Sequence, residues 1–132
     1  MQEQIINAAR ECIGTPFRHQ GRIPGKALDC AGLAVVVFRR LGFDVVDVQG
    51  YSRLPHRGRL KAAIEAQPFI ERVHDERPGD VLLIRVGSEP THIAIDAGGT
   101  MIHAYEHVGK VCEHVIDKSW RDGIVARYRV KQ

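Results

Sequence analysis

The sequence lacks the features that would export a protein or anchor it in a membrane. The N-terminal residues Met1-Gln2-Glu3-Gln4 form neither a basic segment nor the start of a long apolar one, so no secretory signal peptide is visible. No apolar run approaches the roughly 20 residues that a membrane-spanning helix needs. We therefore expect a protein that is made in the cytoplasm and does not insert into a membrane. If it acts outside the cell, another component must carry it there.

Cysteine is scarce, and its arrangement argues against two common structural uses. Cys12, Cys30 and Cys112 are an odd number, which excludes a complete disulfide framework. No CxxC pair or clustered Cys/His spacing indicates zinc, and beyond His92 and His103 no pair has a helical or hairpin metal spacing. We expect no metal or other cofactor. Cys12 on a helix and Cys112 in a strand are expected to be small apolar residues.

A strong charge of either sign is also missing. The net charge is +3 and the basic residues are scattered, whereas a nucleic-acid-binding protein usually clusters them. The hydrophobic share of 44% and the charged share of 27% are those of an ordinary globular protein, which excludes disordered, collagen-like and coiled-coil chains. At 132 residues, the chain is expected to form one domain, residues 1–132, with no nucleic-acid partner.

Hydrophobic periodicity predicts helices in the first half of the chain. The first helix is predicted from Gln4 to Ile13, and a polar loop from Phe17 to Leu28. A second helix should begin at Asp29 or Cys30 and end near Leu41, with Gly42 as its left-handed cap. Its interior is apolar nearly all round, so it should be the buried centre of the domain. A short helix is predicted near residues 59–66.

The period of the hydrophobic residues changes after the turn at residues 77–80, and strands are predicted for the rest of the chain. An antiparallel meander that follows helices is typical of an α+β fold and not of alternating βαβ units. The predicted strands cover residues 81–86, 92–96, 100–105, 110–116 and 124–130.

Cys30 is a candidate nucleophile because of its position. It lies where a loop meets the N-terminus of the buried helix, and Asp29 can cap that helix by accepting from the Gly32 amide. The positive end of the helix dipole can lower a thiol pKa from about 8.5 to about 3.5–7.5. The amide of Cys30 would also be an oxyanion donor. Taken alone, a cysteine at a helix start is more often a small apolar residue.

His92 and His103 can be related to each other by strand register. Gly98-Gly99 is a strong two-residue hairpin turn, which would place His92 and His103 on the same face of adjacent strands. A chain Cys30–His92–His103 then becomes possible, in which the third group orients the second. His107 and His114 are expected to be ordinary polar surface residues, and the sequence around His19, His56 and His74, which lie in loops, shows no pattern.

Five short motifs follow one another along the chain: IGTPFR at 13–18, LDCAGL at 28–33, PGDV at 78–81, THIAI at 91–95 and MIHA at 101–104. Together and in this order they resemble the NlpC/P60 family of papain-like cell-wall peptidases. The resemblance implies a helix that carries the nucleophile, packed on a five- or six-stranded antiparallel sheet. It also implies a Cys/His/polar triad, which maps onto Cys30, His92 and His103.

The resemblance implies a hydrolase of peptidoglycan stem peptides, often cleaving γ-D-glutamyl–diamino-acid bonds. Arg18-His19-Gln20 before the cysteine, in a compact chain, is most similar to the phage-tail members. In tailed phages such a domain sits at the tail tip and opens the wall locally. The expected partners are therefore tail-tip or baseplate hub proteins of a virion, and the expected place of action is the periplasm or cell wall.

Two positions depart from the family pattern, and two alternatives stay open. Phe17 stands where many relatives have tyrosine and supplies no hydroxyl, and Ala31 replaces a frequent serine. We place Phe17, His19 and Gln20 in the substrate-binding region. One alternative is an amidase or acyltransferase for a sugar–peptide or lipid amide, with its specificity set by loops 17–28 and 51–59. The other is a structural tail-tip or adaptor domain whose site is vestigial or gated by its neighbours.

Overall fold

Most helical residues precede the main sheet along the chain, as the periodicity predicts. A computed structural model describes residues 1–47, 51, 58–87 and 89–131. Most of the second predicted specificity loop, together with His56, lies outside the described residues. The elements are α1 Gln2–Arg10, β1 Arg22–Ile23, β2 Ala27–Leu28, α2 Cys30–Arg40, α3 Arg59–Glu65, β3 Ile70–Val73, β4 Val81–Val86, β5 Glu89–Asp96, β6 Thr100–Tyr105, β7 Lys110–Val115, α4 Lys118–Gly123 and β8 Ile124–Val130.

Helix α2 begins and ends as predicted. The Asp29 side chain accepts from the Gly32 backbone amide at 2.8 Å, which satisfies one of the free amides of the first turn. Gly42, with φ 89°, adopts the left-handed conformation just beyond the C-cap. Leu33 and Val37 are fully buried within the apolar core. The helix is therefore fixed at both ends and along its buried face, which fixes the position of its first residue, Cys30.

The α+β prediction is confirmed by a six-stranded antiparallel sheet with the order β3-β8-β4-β5-β6-β7. Strands β4 to β7 form the expected meander. Strand β8 departs from it, because it returns across the sheet to pair with β4 on one side and β3 on the other. Strand β3, helix α4 and the small β1–β2 hairpin were not predicted.

The β5–β6 hairpin has the register that the two-glycine turn predicts. Ile95 pairs with Ile102 and Asp96 with Met101, and the Ala97 amide donates to the Thr100 carbonyl at 2.8 Å. Gly98 between them has φ 93°, a left-handed conformation that glycine adopts without strain. Because side chains alternate between faces, this register places the side chains of residues 92 and 103 on one face.

The two faces of the sheet have separate apolar cores. Helices α1 and α2 cover one face, in a cluster that includes Leu33, Ile95 and Ile102. The other face carries a smaller cluster around Met101, against which Trp120 of α4 packs. No helix within the described ranges has both the length and the apolar character needed to cross a membrane.

Two cysteines lie close to where the sequence puts them. Cys12 is fully buried, although α1 ends two residues before it, and its sulfur lies 3.6 Å from the Ala8 carbonyl oxygen. Cys112 lies in β7 and is half-buried. Neither lies in the cavity that contains Cys30.

Candidate active site

Cys30 lies at the wall of a cavity of about 470 Å³. It is the first residue of α2, and the backbone of Ile93 and of Ala31 acts to lower the pKa of its thiol. His92, the neighbour of Ile93 on β5, lines the same cavity. The structure therefore brings a thiol, an imidazole and a helix N-terminus to one cavity.

Asp29 holds the helix start and the preceding loop together. Its Oδ1 accepts from the Gly32 amide at 2.8 Å and from Arg22 Nη1 at 2.9 Å. Its Oδ2 accepts from the Gln20 amide at 2.8 Å and from the Tyr51 hydroxyl. The carboxylate is 4% exposed, so its charge is compensated by Arg22 and by these donors instead of by water. Asp29 thus anchors the cap and the loop beside Cys30.

The three residues predicted to bind substrate lie in the segment 17–20, in front of α2. Phe17 and His19 line the cavity. The Gln20 side chain instead donates from Nε2 to the Tyr51 carbonyl oxygen at 2.9 Å, and its backbone has φ 62°. His19 Nε2 lies 2.9 Å from the same carbonyl oxygen. Phe17 and His19 can therefore contact a bound molecule, whereas Gln20 binds the neighbouring chain segment.

Three histidines form a hydrogen-bonded row across β5, β6 and β7. His92 Nε2 lies 2.6 Å from His103 Nδ1, and His103 Nε2 lies 2.7 Å from His114 Nε2. His114 Nδ1 lies 2.9 Å from the Val115 carbonyl oxygen. The expectation that His114 is an ordinary polar residue was wrong, because β7 pairs with β6 in a register that puts it beside His103. The sequence contained one signal for this position: Cys112 and His114 are two residues apart in a predicted strand, so their side chains lie on the same face.

The Val115 carbonyl fixes the tautomers along this row. A carbonyl oxygen can only accept, so Nδ1 of His114 carries the hydrogen and Nε2 of neutral His114 accepts. His103 must then donate from Nε2 and accept at Nδ1. It follows that His92 donates from Nε2 to His103, which leaves Nδ1 of neutral His92 as a proton acceptor. The row therefore fixes which ring nitrogen of neutral His92 can accept a proton.

Aromatic rings enclose the row. Tyr105 stacks on His103 with a centroid distance of 5.0 Å, and Trp120 meets His103 edge-on at 5.2 Å. Trp120 also lies 6.0 Å from His92 and 5.6 Å from His114, centroid to centroid. These contacts pack Tyr105 and Trp120 against the row and restrict rotation of the rings.

Burial shifts the pKa values of His92, His103 and Cys30 toward their uncharged forms. It lowers the pKa of His92 to about 4, with a smaller contribution from His114, and lowers the pKa of His103 to about 3. Burial, followed by the Asp29 carboxylate, raises the pKa of Cys30 to about 11, although the amides of Ile93 and Ala31 favour the thiolate. Contrary to the expectation, the pKa of the thiol is raised, because desolvation and the Asp29 charge outweigh the backbone amides and Arg22.

Two histidines of the row and a neighbouring cysteine could together hold a metal ion. The donor atoms of His103, Cys112 and His114 all lie within 4.8 Å of one another. The sequence did not predict this group, because no motif specifies the pairing of β6 with β7 that brings its residues together. Here, two of the ligands alternate on one strand and the third lies across the pair.

Comparison with known proteins identifies the same architecture. The profile of the NlpC/P60 family matches residues 14–129. No curated protein sequence matches the chain significantly. The NlpC/p60 domain of the peptidoglycan hydrolase SagA superposes with a TM-score of 0.66 at 24% identity, covering 100% of this chain and 99% of that one.

Two longer proteins have the same fold over part of their length. A lipoprotein-like member of the NLP/P60 family from Staphylococcus aureus superposes with a TM-score of 0.73 at 19% identity, over 99% of this chain and 41% of its own. The peptidoglycan hydrolase RipB from Mycobacterium tuberculosis gives 0.67 at 18% identity, over 99% and 65%. The present chain thus spans less than half of the staphylococcal protein and about two thirds of RipB.

Proposed function

The chain belongs to the NlpC/P60 family, and on this premise we propose that it is a cysteine peptidase that hydrolyses peptidoglycan stem peptides. The observation that carries the proposal is the row of histidines. It leaves Nδ1 of His92 as a proton acceptor on the cavity that also contains Cys30. In this proposal Cys30 is the nucleophile, His92 the general base and acid, and His103 the group that orients His92.

The reaction is an acyl transfer in two halves. Cys30 Sγ attacks the carbonyl carbon of the scissile amide while its proton passes to Nδ1 of His92. The oxyanion is bound by the backbone amide of Cys30 at the helix N-terminus, a contribution commonly worth about 10²–10³ in rate. His92 then protonates the leaving nitrogen, the C–N bond breaks and a thioester remains. A water molecule, deprotonated by His92, attacks the thioester and releases the carboxylic acid and the thiol.

The charge change during the first step explains why a neutral thiol and a neutral imidazole suit this site. A neutral thiol and a neutral imidazole can both be buried, whereas a preformed ion pair in the empty site would lose its hydration. His92 becomes cationic only when the proton is transferred, and neutral His103 accepts a hydrogen bond from it at that moment. Asp29 caps the helix and fixes the position of Cys30, and it takes no part in proton transfer.

We propose a γ-D-glutamyl–diamino-acid bond as the target. Such a stem peptide carries free carboxylates next to the scissile amide, and the cavity wall includes the basic residue Arg59 together with His19. Phe17 lines the cavity and supplies an apolar surface where many relatives have a tyrosine hydroxyl. The preferred bond should therefore be one whose flanking carboxylate can reach Arg59.

We further propose that the enzyme acts as a component of a phage or prophage tail tip. The support is the similarity of Arg18-His19-Gln20 to the phage-tail members of the family. In this setting the virion delivers the enzyme to the periplasm or cell wall. Antibody labelling of purified particles at the tail tip is the expected result. If purified particles contain other tail proteins but lack this protein, the tail-tip placement is rejected and the proposed reaction is unaffected.

The direct test is hydrolysis of defined soluble stem peptides, read by mass spectrometry. Wild-type protein should cleave one bond, and Cys30→Ala should be inactive with an unchanged far-ultraviolet circular dichroism spectrum. Equal cleavage by the two proteins would reject Cys30 as nucleophile. No cleavage by wild type, with Cys30 slow to alkylate, would favour a structural or partner-gated domain.

A second candidate reaction is favoured by the apolar character of the inner cavity wall. Apart from the polar groups near Cys30, much of the described lining is hydrophobic, including Val35, Phe38 and Phe69. An apolar wall suits an acyl chain, so an amidase or acyltransferase acting on a lipid amide could use the same thiol and base. Cleavage of an N-acyl amide in preference to stem peptides would select this reaction.

A further inference from the structure

Two adjacent strands bring three potential metal ligands to one spot. Cys112 and His114 alternate along β7 and so share a face, and His103 of β6 pairs directly with Cys112. The closest donor atoms are Nε2 of His103 and Nε2 of His114 at 2.7 Å, and all three donors lie within 4.8 Å. Tetrahedral Zn²⁺ places neighbouring nitrogen and sulfur donors about 3.3–3.7 Å apart. The ligands therefore need to move by only about half an ångström to one ångström.

The outer contact of His114 already suits coordination, and that of His103 suits it once its tautomer changes. A metal-bound histidine usually donates its second ring N–H to a carbonyl or another acceptor, which fixes the ring. Nδ1 of His114 lies against the Val115 carbonyl oxygen, and Nδ1 of His103 lies against Nε2 of His92. Both rings therefore direct Nε2 toward the same point. Trp120 packs against both rings and restricts their rotation.

The position is also accessible to an ion. Strand β7 is at the edge of the sheet, and both Cys112 and His114 are half-buried. His103 is fully buried behind them. An ion can thus approach from solvent and bind one buried and two partly exposed ligands, with water in the fourth position.

We propose that His103, Cys112 and His114 form a site for a borderline divalent cation of the Zn²⁺ class, and that its occupation switches the proposed peptidase off. The cysteine thiolate and two imidazoles are ligands that select zinc-like ions over magnesium or calcium. The binding part of the proposal stands on the geometry alone. The inhibitory part rests on the proposed function.

Inhibition follows from a change of tautomer. In the metal-free row, His103 donates from Nε2 and accepts at Nδ1. A metal ion bound to Nε2 displaces that hydrogen, so neutral His103 must carry its hydrogen on Nδ1 and donate it to His92 Nε2. Neutral His92 then carries its own hydrogen on Nδ1. It cannot accept the proton of Cys30, and the first step of the reaction stops.

Binding is tested with Co²⁺ as a spectroscopic probe in a Cys30→Ala background, which removes the competing thiol of the cavity. We expect a thiolate-to-cobalt charge-transfer band and the intense visible bands of a tetrahedral site, both displaced by Zn²⁺. Adding Cys112→Ser should abolish the charge-transfer band and weaken binding by at least about 100-fold. An unchanged spectrum in Cys30→Ala/Cys112→Ser would overturn the site. If that protein does not fold, Cys30→Ala/Cys112→Ala takes its place.

Inhibition is tested with Zn²⁺ on wild type and on Cys112→Ser, which should have the same activity without metal because Cys112 lies outside the row. Zn²⁺ should inhibit wild type reversibly, with activity restored by a chelator, and Cys112→Ser should require at least about 100-fold more Zn²⁺. Equal sensitivity would overturn the switch and place the inhibitory ion at Cys30 and His92. A wild type that hydrolyses no substrate would refute the proposed function and with it the switch, while the cobalt spectrum would still decide the site.

Discussion

The Nε2 atoms of His103 and His114 lie 2.7 Å apart, and this contact extends the expected pair of histidines to a row of three. Since His114 Nδ1 is bound to a backbone carbonyl, neutral His114 can only accept at Nε2. His114 therefore acts on the proposed base indirectly, by fixing the tautomer of His103. It is a positioning residue, because it does not line the cavity that contains Cys30.

Replacement of His114 by alanine should lower kcat by about 10-fold and leave KM nearly unchanged. The buried Nε2–H of His103 loses its acceptor, and a lost buried hydrogen bond costs about 1–3 kcal/mol. His114→Gln should restore part of kcat, since its side-chain oxygen can accept from His103. Steady-state kinetics of the three proteins on one stem peptide is the measurement. A merely structural role would change the unfolding midpoint in both variants and would not give rescue by glutamine.

Asp29→Asn should lower the pKa of the Cys30 thiol. The Asp29 carboxylate disfavours the adjacent thiolate, and its removal also leaves the positive charge of Arg22 less compensated. Both effects stabilise the thiolate, and the asparagine oxygen can still cap the helix. Alkylation of Cys30 should therefore reach its half-maximal rate at a lower pH in Asp29→Asn than in wild type.

The alkylation experiment requires separation of the three thiols. Mass spectrometry of the peptide that contains Cys30 distinguishes it from Cys12 and Cys112. Cys112 is the internal control, since its alkylation profile should be the same in wild type and Asp29→Asn. An unchanged or raised pKa of Cys30 in a folded Asp29→Asn protein would contradict the electrostatic account.

Gly32→Ala should destabilise the protein although alanine favours helices. A Cβ atom at this position would lie 2.0 Å from the Gly21 backbone carbonyl oxygen, so the loop and the helix must separate. Overpacking of this kind typically costs about 1–3 kcal/mol. Denaturant unfolding should show a lower midpoint for Gly32→Ala. Ala31→Ser, at the adjacent position where relatives often have serine, is the matched control and should unfold like wild type. Equal midpoints for all three proteins would contradict the close approach.

The sequence predicts the features that depend on local patterns. The start of α2 at Cys30, with its Asp29 cap, follows from capping preferences, and the contact of His92 with His103 follows from the two-glycine turn. The place of His114 could not be predicted in the same way. It depends on the pairing of β6 with β7 across the turn at residues 106–109, whose length and register the turn residues do not specify.

Features that depend on tertiary burial also could not be predicted from the sequence. The rise in the pKa of Cys30 depends on how deeply the helix start is enclosed and on the nearby Asp29 charge, and capping rules carry no information on burial depth. Strand β8 was expected at the end of the meander. Its pairing with β4 buries Ala126 and Tyr128 in the core, a long-range effect that periodicity does not report.

The pH dependence of activity should reflect the lowered pKa of His92. Its imidazole must be neutral to accept the proton of Cys30, and burial lowers its pKa to about 4. The acidic limb of kcat/KM should therefore lie near pH 4, well below the ordinary histidine value of about 6.5. Activity is present above the folded-state pKa and is lost as the pH falls through it.

The same shift makes folding stability depend on pH. Unfolded His92 takes up a proton near about pH 6.5 and the folded protein does so only near pH 4, so between these values the unfolded state binds more protons. The free energy of unfolding should therefore fall as the pH is lowered through this window. Steady-state kinetics from about pH 3 to about pH 8, with circular dichroism at each pH, distinguishes protonation of His92 from unfolding of the protein. An acidic limb near 6.5 in a fully folded protein would mean that His92 is hydrated and that the row does not shield it.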